Sequence, residues 1–82
     1  MTDKEQNYEL MWKKEFSFRL KRRMQYLGLT PIELSKLSGV SIKSVRGYLD
    51  LLDPKIPNAI VVPKLAKALI TTSSYLLDFD VK

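Results

Sequence analysis

The sequence contains no cysteine and no histidine. Without cysteine the chain has no disulfide, thiolate nucleophile or cysteine-ligated zinc site. Without histidine it lacks the usual general base near neutral pH and the commonest metal ligand. Glycine occurs only three times, and no Gly-rich phosphate loop is present. We therefore expect neither an enzyme nor a cofactor. A site built from Asp and Glu alone is the remaining catalytic alternative, and a chain of 82 residues leaves little room for its pocket.

Long apolar runs are also missing. The longest, at residues 59–62, is far shorter than the roughly 18 residues that span a bilayer. The polar N-terminus lacks the basic-then-apolar order of a signal peptide. We therefore expect a cytoplasmic protein without a membrane partner. With 45% apolar and 28% charged residues, the composition is typical of a single globular domain.

The net charge of +5 is unevenly distributed. Residues 1–12 carry a net charge of −2 and residues 71–82 a net charge of −1. Residues 13–70 hold twelve Lys and Arg against four acidic residues, a net charge of +8. A basic central region is typical of a nucleic-acid footprint, although the solvated surface of a basic protein explains it equally well.

Apolar residues recur at helical spacing along most of the chain. The pattern predicts an all-α fold, a compact bundle of five short helices with no convincing strand. The predicted helices are 13–27, 31–38, 42–51, one that starts at Val62 or Pro63, and a last short helix capped by Thr72 or Ser73. Residues 1–12 are either a tail or an extra helical turn, residues 13–78 form the domain, and residues 79–82 form a C-terminal tail.

The same periodicity predicts the core. The residues expected to be buried are Phe16, Leu20, Met24, Leu27, Leu34, Leu37, Val40, Val45, Tyr48, Leu49, Leu52, Leu65, Ala66, Leu69, Tyr75, Leu76 and Leu77. Lys43, Arg46, Gly47 and Asp50 fall on the opposite, exposed side of the third helix, and Ile42 lies on the border between the two sides. Lys21, Arg22 and Arg23 are expected on a solvated face.

Signals for the start and end of helices cluster between residues 28 and 41. Thr30 to Glu33 has the pattern of a capping box with proline at the first helical position. Gly39 permits a sharp change of direction, and Ser41 can cap the next helix. Two short helices joined by a few residues that include glycine are typical of a helix-turn-helix unit.

At these positions the chain resembles the Cro and repressor proteins of lambdoid phages and related bacterial regulators. The resemblance covers residues 18–78. It rests on Leu20, Leu27-Gly28-Leu29-Thr30-Pro31-Ile32-Glu33-Leu34, Gly39-Val40-Ser41, Ser44-Val45, Pro57, Leu65-Ala66-Lys67-Ala68-Leu69 and Tyr75-Leu76-Leu77. It implies a helix-turn-helix domain whose second motif helix reads the major groove of DNA.

The resemblance also implies roles for individual residues. The base-reading positions fall on Ile42, Lys43 and Gly47, with Arg46 beside them; Gly47 has no side chain, so one contact of the family is missing. Lysine can donate to guanine O6 and N7, and Ile42 can touch a thymine methyl. The residues expected to bind phosphate are Thr30, Ser41 and Ser44. Lys55 is expected to reach the phosphate backbone or the minor groove, and Arg46 can reach either a base or a phosphate.

The function implied is that of a sequence-specific transcriptional regulator, a repressor of phage or mobile-element type that occupies its operator. Its expected partners are a double-stranded DNA operator and a second copy of the chain, and its expected location is the bacterial nucleoid. The apolar segment 75–81 is one candidate for the dimer surface, and packing of this segment on its own core is the other. Two further alternatives are a protein-interaction module, of antitoxin or antirepressor type, and the DNA-binding half of a larger repressor.

Overall fold

The computed structural model describes residues 3–77, and the side chains of these residues from position 11 onward. These residues form helices and connecting turns, with no strand among them, so the predicted all-α fold is confirmed. The helices are α1 Asp3–Leu27, α2 Pro31–Ser38, α3 Ile42–Leu49, α4 Val61–Ala68 and α5 Ser73–Leu77.

The first helix is longer than predicted. It begins at Asp3, so most of the segment 1–12 continues α1 and no boundary separates it from the domain. The ring of Trp12 stacks on Phe16 with centroids 5.4 Å apart, and Phe16 meets Tyr48 of α3 edge-on at 5.9 Å. The expected tail at 79–82 lies outside the described residues.

The helices pack in a closed cycle around one core. α1 contacts α3 and α5, α2 contacts α3 and α4, and α4 contacts α5. The buried apolar residues at the centre are Phe16, Leu20, Met24, Leu34, Val40, Val45, Tyr48, Val62, Leu65, Ala66, Leu69 and Leu76. Isolated helices of eight residues or fewer are not stable in water. Here every helix contributes to the shared core, so none needs to be stable alone. Leu76 packs on its own core rather than being free for a dimer.

Three of the predicted core residues are exposed instead. Leu52 is 93% exposed because α3 ends at Leu49, two residues earlier than predicted, and helical periodicity no longer applies beyond it. Leu34 is the one buried residue of α2, and Leu37, three residues further on, is 62% exposed at the edge of the covered side. Leu77, in the last turn of α5, is also exposed.

The turn between α2 and α3 follows the predicted signals. The Thr30 hydroxyl accepts a hydrogen bond from the Glu33 N–H, and the Glu33 carboxylate accepts one from the Thr30 N–H, which completes the capping box. Gly39 adopts a left-handed conformation with φ of 77°. Ser35 Oγ then donates to the carbonyl of Val40 at 2.6 Å. The three residues between α2 and α3 therefore have a defined geometry, which fixes α3 relative to α2.

Two arginines of α1 donate to the C-terminal parts of other helices. Arg23 donates to the carbonyls of Leu69 and Ile70, at 2.8 and 3.0 Å, just beyond the end of α4. Arg19 donates to the carbonyl of Tyr75 in α5 at 2.6 Å. The prediction that Arg23 belongs to a solvated face was therefore wrong. Carbonyls at a helix C-terminus lack partners within the helix, and a cation there is favourable.

The chain leaves α4 through a left-handed residue that is not glycine. Ile70 has φ of 54°, and the N–H of Thr71 bonds to the carbonyl of Ala66 at 2.9 Å. This pattern is a Schellman motif, in which glycine or asparagine usually holds the left-handed position. A left-handed conformation costs a residue such as isoleucine about 1–2 kcal/mol, and the side chain is 75% exposed, so little burial offsets this cost.

We expect Ile70→Asn to raise the free energy of unfolding by about 1 kcal/mol, because asparagine tolerates this conformation. Urea denaturation measures the change. The matched control is Ile56→Asn, which replaces another exposed isoleucine outside the helices and outside the left-handed region, and should not stabilise the protein. Destabilisation by Ile70→Asn would show that the isoleucine side chain outweighs the backbone strain.

Candidate nucleic-acid interface

The predicted base-reading residues lie on one short helix with two distinct sides. Val45 and Tyr48 of α3 are buried in the core, whereas Lys43 and Arg46 are exposed and Ile42 is half-buried. The buried side faces α1 and α2, which both contact α3. The structure therefore brings the two cations together on the outer side of α3.

The cations of this surface are not neutralised. Among the side chains of residues 11–77, the one ion pair joins Arg19 and Glu15 of α1 at 3.7 Å. Lys43, Arg46 and Lys55 thus have no carboxylate within salt-bridge distance in that part of the chain. A positive charge without a protein partner is available to an external anion.

The N-termini of α2 and α3 differ in charge. At α2 the Glu33 carboxylate lies 2.8 Å from the Thr30 N–H, so a negative charge already occupies the end of the helix. At α3 the cap is neutral: Ser41 Oγ accepts from the Ser44 N–H at 3.1 Å and donates to Ser44 Oγ at 3.0 Å. The first turn of α3 has no acidic residue. A helix N-terminus favours anions. The N-terminus of α3 therefore suits a phosphate better than that of α2, where the Glu33 carboxylate already lies beside Thr30.

Gly47 lies on the same side of α3 as Lys43 but is buried, so the prediction that it is exposed was wrong. Gly47 is buried because Lys55, from the loop after α3, crosses over it. A Cβ atom at position 47 would lie 2.8 Å from Lys55 Cδ and 3.2 Å from Asp53 Oδ2. Glycine therefore permits the close approach of Lys55 and Asp53, and its backbone is not open to a base edge.

Sequence reasoning missed Lys13, which connects α1 to both α3 and this loop. The side chain is only 5% exposed. Its ammonium donates to the carbonyl of Gly47 at 2.6 Å and to the carbonyl of Lys55 at 2.7 Å. One buried cation therefore fixes the C-terminal turn of α3 and the backbone of the residue that covers it.

Ser17, one turn further along α1, has a matching role. Its buried hydroxyl donates to the carbonyl of Tyr48. Lys13 and Ser17 lie on the same face of α1 as the core residues Phe16 and Leu20, because residues three and four apart are neighbours on a helix. The sequence could have indicated these contacts, because a polar residue on the apolar face of a helix requires a buried hydrogen-bond partner.

Burial also changes the acidity of Lys13. Removal of its ammonium from water lowers the pKa of Lys13 below its ordinary value of 10.5, and the negative charges of Asp53 and then Asp50 partly oppose this effect. Both carboxylates also accept backbone N–H bonds in the loop, from Lys55 and Leu52 respectively. The two acids at the end of α3 thus stabilise the loop and balance a buried cation.

The side chains of residues 11–77 include no group of three acidic residues placed to hold a metal ion. None of the helices within residues 3–77 has the length and hydropathy needed to cross a membrane.

Comparison with models of protein families, with curated proteins and with solved structures finds no match to this chain. A functional assignment therefore depends on the residues and contacts described above.

We expect Lys13→Met to lower the free energy of unfolding by about 2 kcal/mol, because two carbonyls lose their donor and a buried acceptor without a partner costs about 1–3 kcal/mol. Urea denaturation measures the loss. Lys14→Met, which removes an exposed lysine next to it on α1, is the control and should change stability by less than about 0.5 kcal/mol. Equal effects of the two substitutions would contradict a structural role for Lys13.

The same variant tests the pKa of Lys13. Because this pKa is lower in the folded protein, the unfolded chain holds the proton more tightly, and unfolding takes up a proton in the alkaline range up to 10.5. The contribution of Lys13 to stability therefore rises with pH across this range. The stability difference between the parent protein and Lys13→Met should be larger at pH 10 than at pH 7. A difference that shrinks with pH would mean that attraction to Asp53 and Asp50 outweighs burial.

Proposed function

We propose that this protein is a sequence-specific DNA-binding regulator that places α3 in the major groove and acts by occupying its operator. The observation that carries the proposal is the outer side of α3, where Lys43 and Arg46 are exposed and have no carboxylate partner among the described side chains. A helix fits the major groove, and both side chains can donate to guanine O6 and N7. Ile42, at the edge of the same side, suits a thymine methyl.

The α3 N-terminus supports the same orientation. The hydroxyls of Ser41 and Ser44 and the adjacent backbone N–H groups form an end without acidic residues. A phosphate bound there would position the helix on the DNA backbone, while Lys43 and Arg46 reach the bases. We assign phosphate binding chiefly to Ser41 and Ser44 and only weakly to Thr30, whose cap carries the Glu33 carboxylate.

The resemblance to the Cro and repressor proteins of lambdoid phages supports a repressor that acts at the bacterial nucleoid. A helix of eight residues is about 12 Å long and reads only a few base pairs. Two copies of the chain on half-sites about 34 Å apart would supply the missing specificity. We therefore propose a homodimer on a two-fold symmetric operator.

A protein partner is the second candidate, and the loop between α3 and α4 favours it. Four aliphatic side chains are exposed within ten residues of this loop: Leu51, Leu52, Ile56 and Ile60. Clusters of exposed apolar side chains are typical of protein-binding surfaces. In this alternative the same fold binds another protein, and DNA binding is secondary or absent.

The proposal is tested by selecting bound sequences from a random duplex pool and then measuring affinity across a salt series. We expect the double variant Lys43→Ala/Arg46→Ala to bind the selected duplex at least tenfold more weakly, because each base contact is worth about 1–3 kcal/mol. Its preference over unrelated duplexes should also be lost.

The control is Lys64→Ala/Lys67→Ala, which removes two exposed cations from α4. It has the same net charge as the first variant and should retain the sequence preference. If the parent protein binds no duplex even at low salt, the protein-binding alternative is favoured. If the two variants lose the same affinity, net charge rather than the α3 surface drives binding.

A further inference from the structure

The side chain of Lys55 lies along α3 in the place where residue 47 would have its own side chain. Both Lys55 Cβ and Lys55 Cδ are close to the Cβ position of residue 47, at 3.3 and 2.8 Å. The lysine stem therefore follows the helix surface instead of extending into solvent from the loop. Its ammonium, one methylene beyond Cδ, has no carboxylate partner among the described side chains.

Position 47 is on the same row of α3 as Lys43. Residues four apart on a helix are neighbours on one side, so a side chain at 47 would lie one turn beyond Lys43 on the outer surface. Gly47 provides no such group. Lys55 Cβ and Cδ fill this place from another segment, and Asp53 Oδ2 lies 3.2 Å from the same position.

The backbone of Lys55 is fixed on both sides. Its carbonyl accepts from the buried Lys13 ammonium at 2.7 Å, and its N–H donates to Asp53 Oδ1 at 2.8 Å. Pro54 immediately before it restricts the chain further. A side chain on an ordered backbone loses less conformational entropy when it binds, so this lysine is suited to a specific contact.

We propose that Lys55 is a specificity-determining residue that reads a base edge in the major groove in place of the side chain missing at position 47. This inference rests on the proposed function and changes the role of Lys55 from the backbone or minor-groove contact expected from the sequence. Lysine only donates, so its target is an acceptor, guanine O6 or N7 or thymine O4. Lys13 acts as a positioning residue, since it holds the backbone of Lys55.

The decisive variant is Lys55→Met, which keeps an apolar stem over Gly47 and removes the ammonium. We expect it to bind the selected duplex about 5- to 150-fold more weakly, the equivalent of one base contact, with a smaller loss on unrelated duplexes. Selection repeated with this variant should return sites that are degenerate at one base pair. Lys64→Met on α4 is the matched control and should retain the parent preference at every position.

Other results overturn the inference separately from the proposed function. Lys55 would be identified as a phosphate contact if Lys55→Met lost the same affinity for selected and unrelated duplexes. The slope of log K against the logarithm of the salt concentration would then be shallower by about 0.9. An unchanged affinity of Lys55→Met, while Lys43→Ala/Arg46→Ala still loses binding, would remove Lys55 from the interface and leave the function intact. Absence of DNA binding by the parent protein would refute both.

The packing itself is tested with Gly47→Ala. The added methyl group must displace the Lys55 stem, so this change should weaken binding to the selected duplex by a factor similar to that of Lys55→Met. In a Lys55→Ala background its further effect should be smaller, because Cδ of residue 55, the nearest atom at 2.8 Å, is absent, whereas Asp53 Oδ2 at 3.2 Å and Cβ of residue 55 at 3.3 Å remain. Independent, multiplicative losses would show that the two residues do not act through one contact. Urea denaturation of each variant confirms that it is folded.

Discussion

The structure depends on hydrogen-bond donors that α1 extends to the C-terminal parts of its neighbours. Short helices leave their last carbonyls without partners, and helices of five or eight residues are not stable alone. Lys13 and Ser17 satisfy the end of α3, Arg23 satisfies the end of α4, and Arg19 bonds to α5. The orientation of the outer side of α3, and with it the proposed DNA contacts, therefore depends on side chains of α1 that are buried on the opposite side of α3.

Much of the fold could be predicted because its signals are local. The capping box at Thr30, the left-handed Gly39 and the serine cap at position 41 each involve residues close together in sequence. They specify where α2 and α3 begin and how the turn between them runs. Periodicity failed where a helix ended early, as at Leu52, and where the other helices cover only part of an apolar side, as at Leu37.

The candidate site was predictable only on α3 itself. The exposure of Lys43 and Arg46 follows from helical spacing, and the structure agrees with it. The burial of Gly47 under Lys55 depends on the path of a loop with two prolines, and Lys13 depends on contacts 34 and 42 residues away along the chain. In the sequence, such long-range contacts are indicated only by a polar residue among apolar ones on the same helix face, as Lys13 is on α1. The role proposed for Lys55 could therefore be inferred only from the fold.

Donors that originate from one helix also couple the stabilities of the others. The final turns of α3 and α4 cannot fray independently without breaking bonds to Lys13, Ser17 or Arg23. Opening of either turn therefore costs hydrogen bonds to α1 as well as contacts within the turn itself, and α1 is held in place by Phe16 and Leu20 at the centre of the core. A helix of only eight residues is in this way anchored to the rest of the fold.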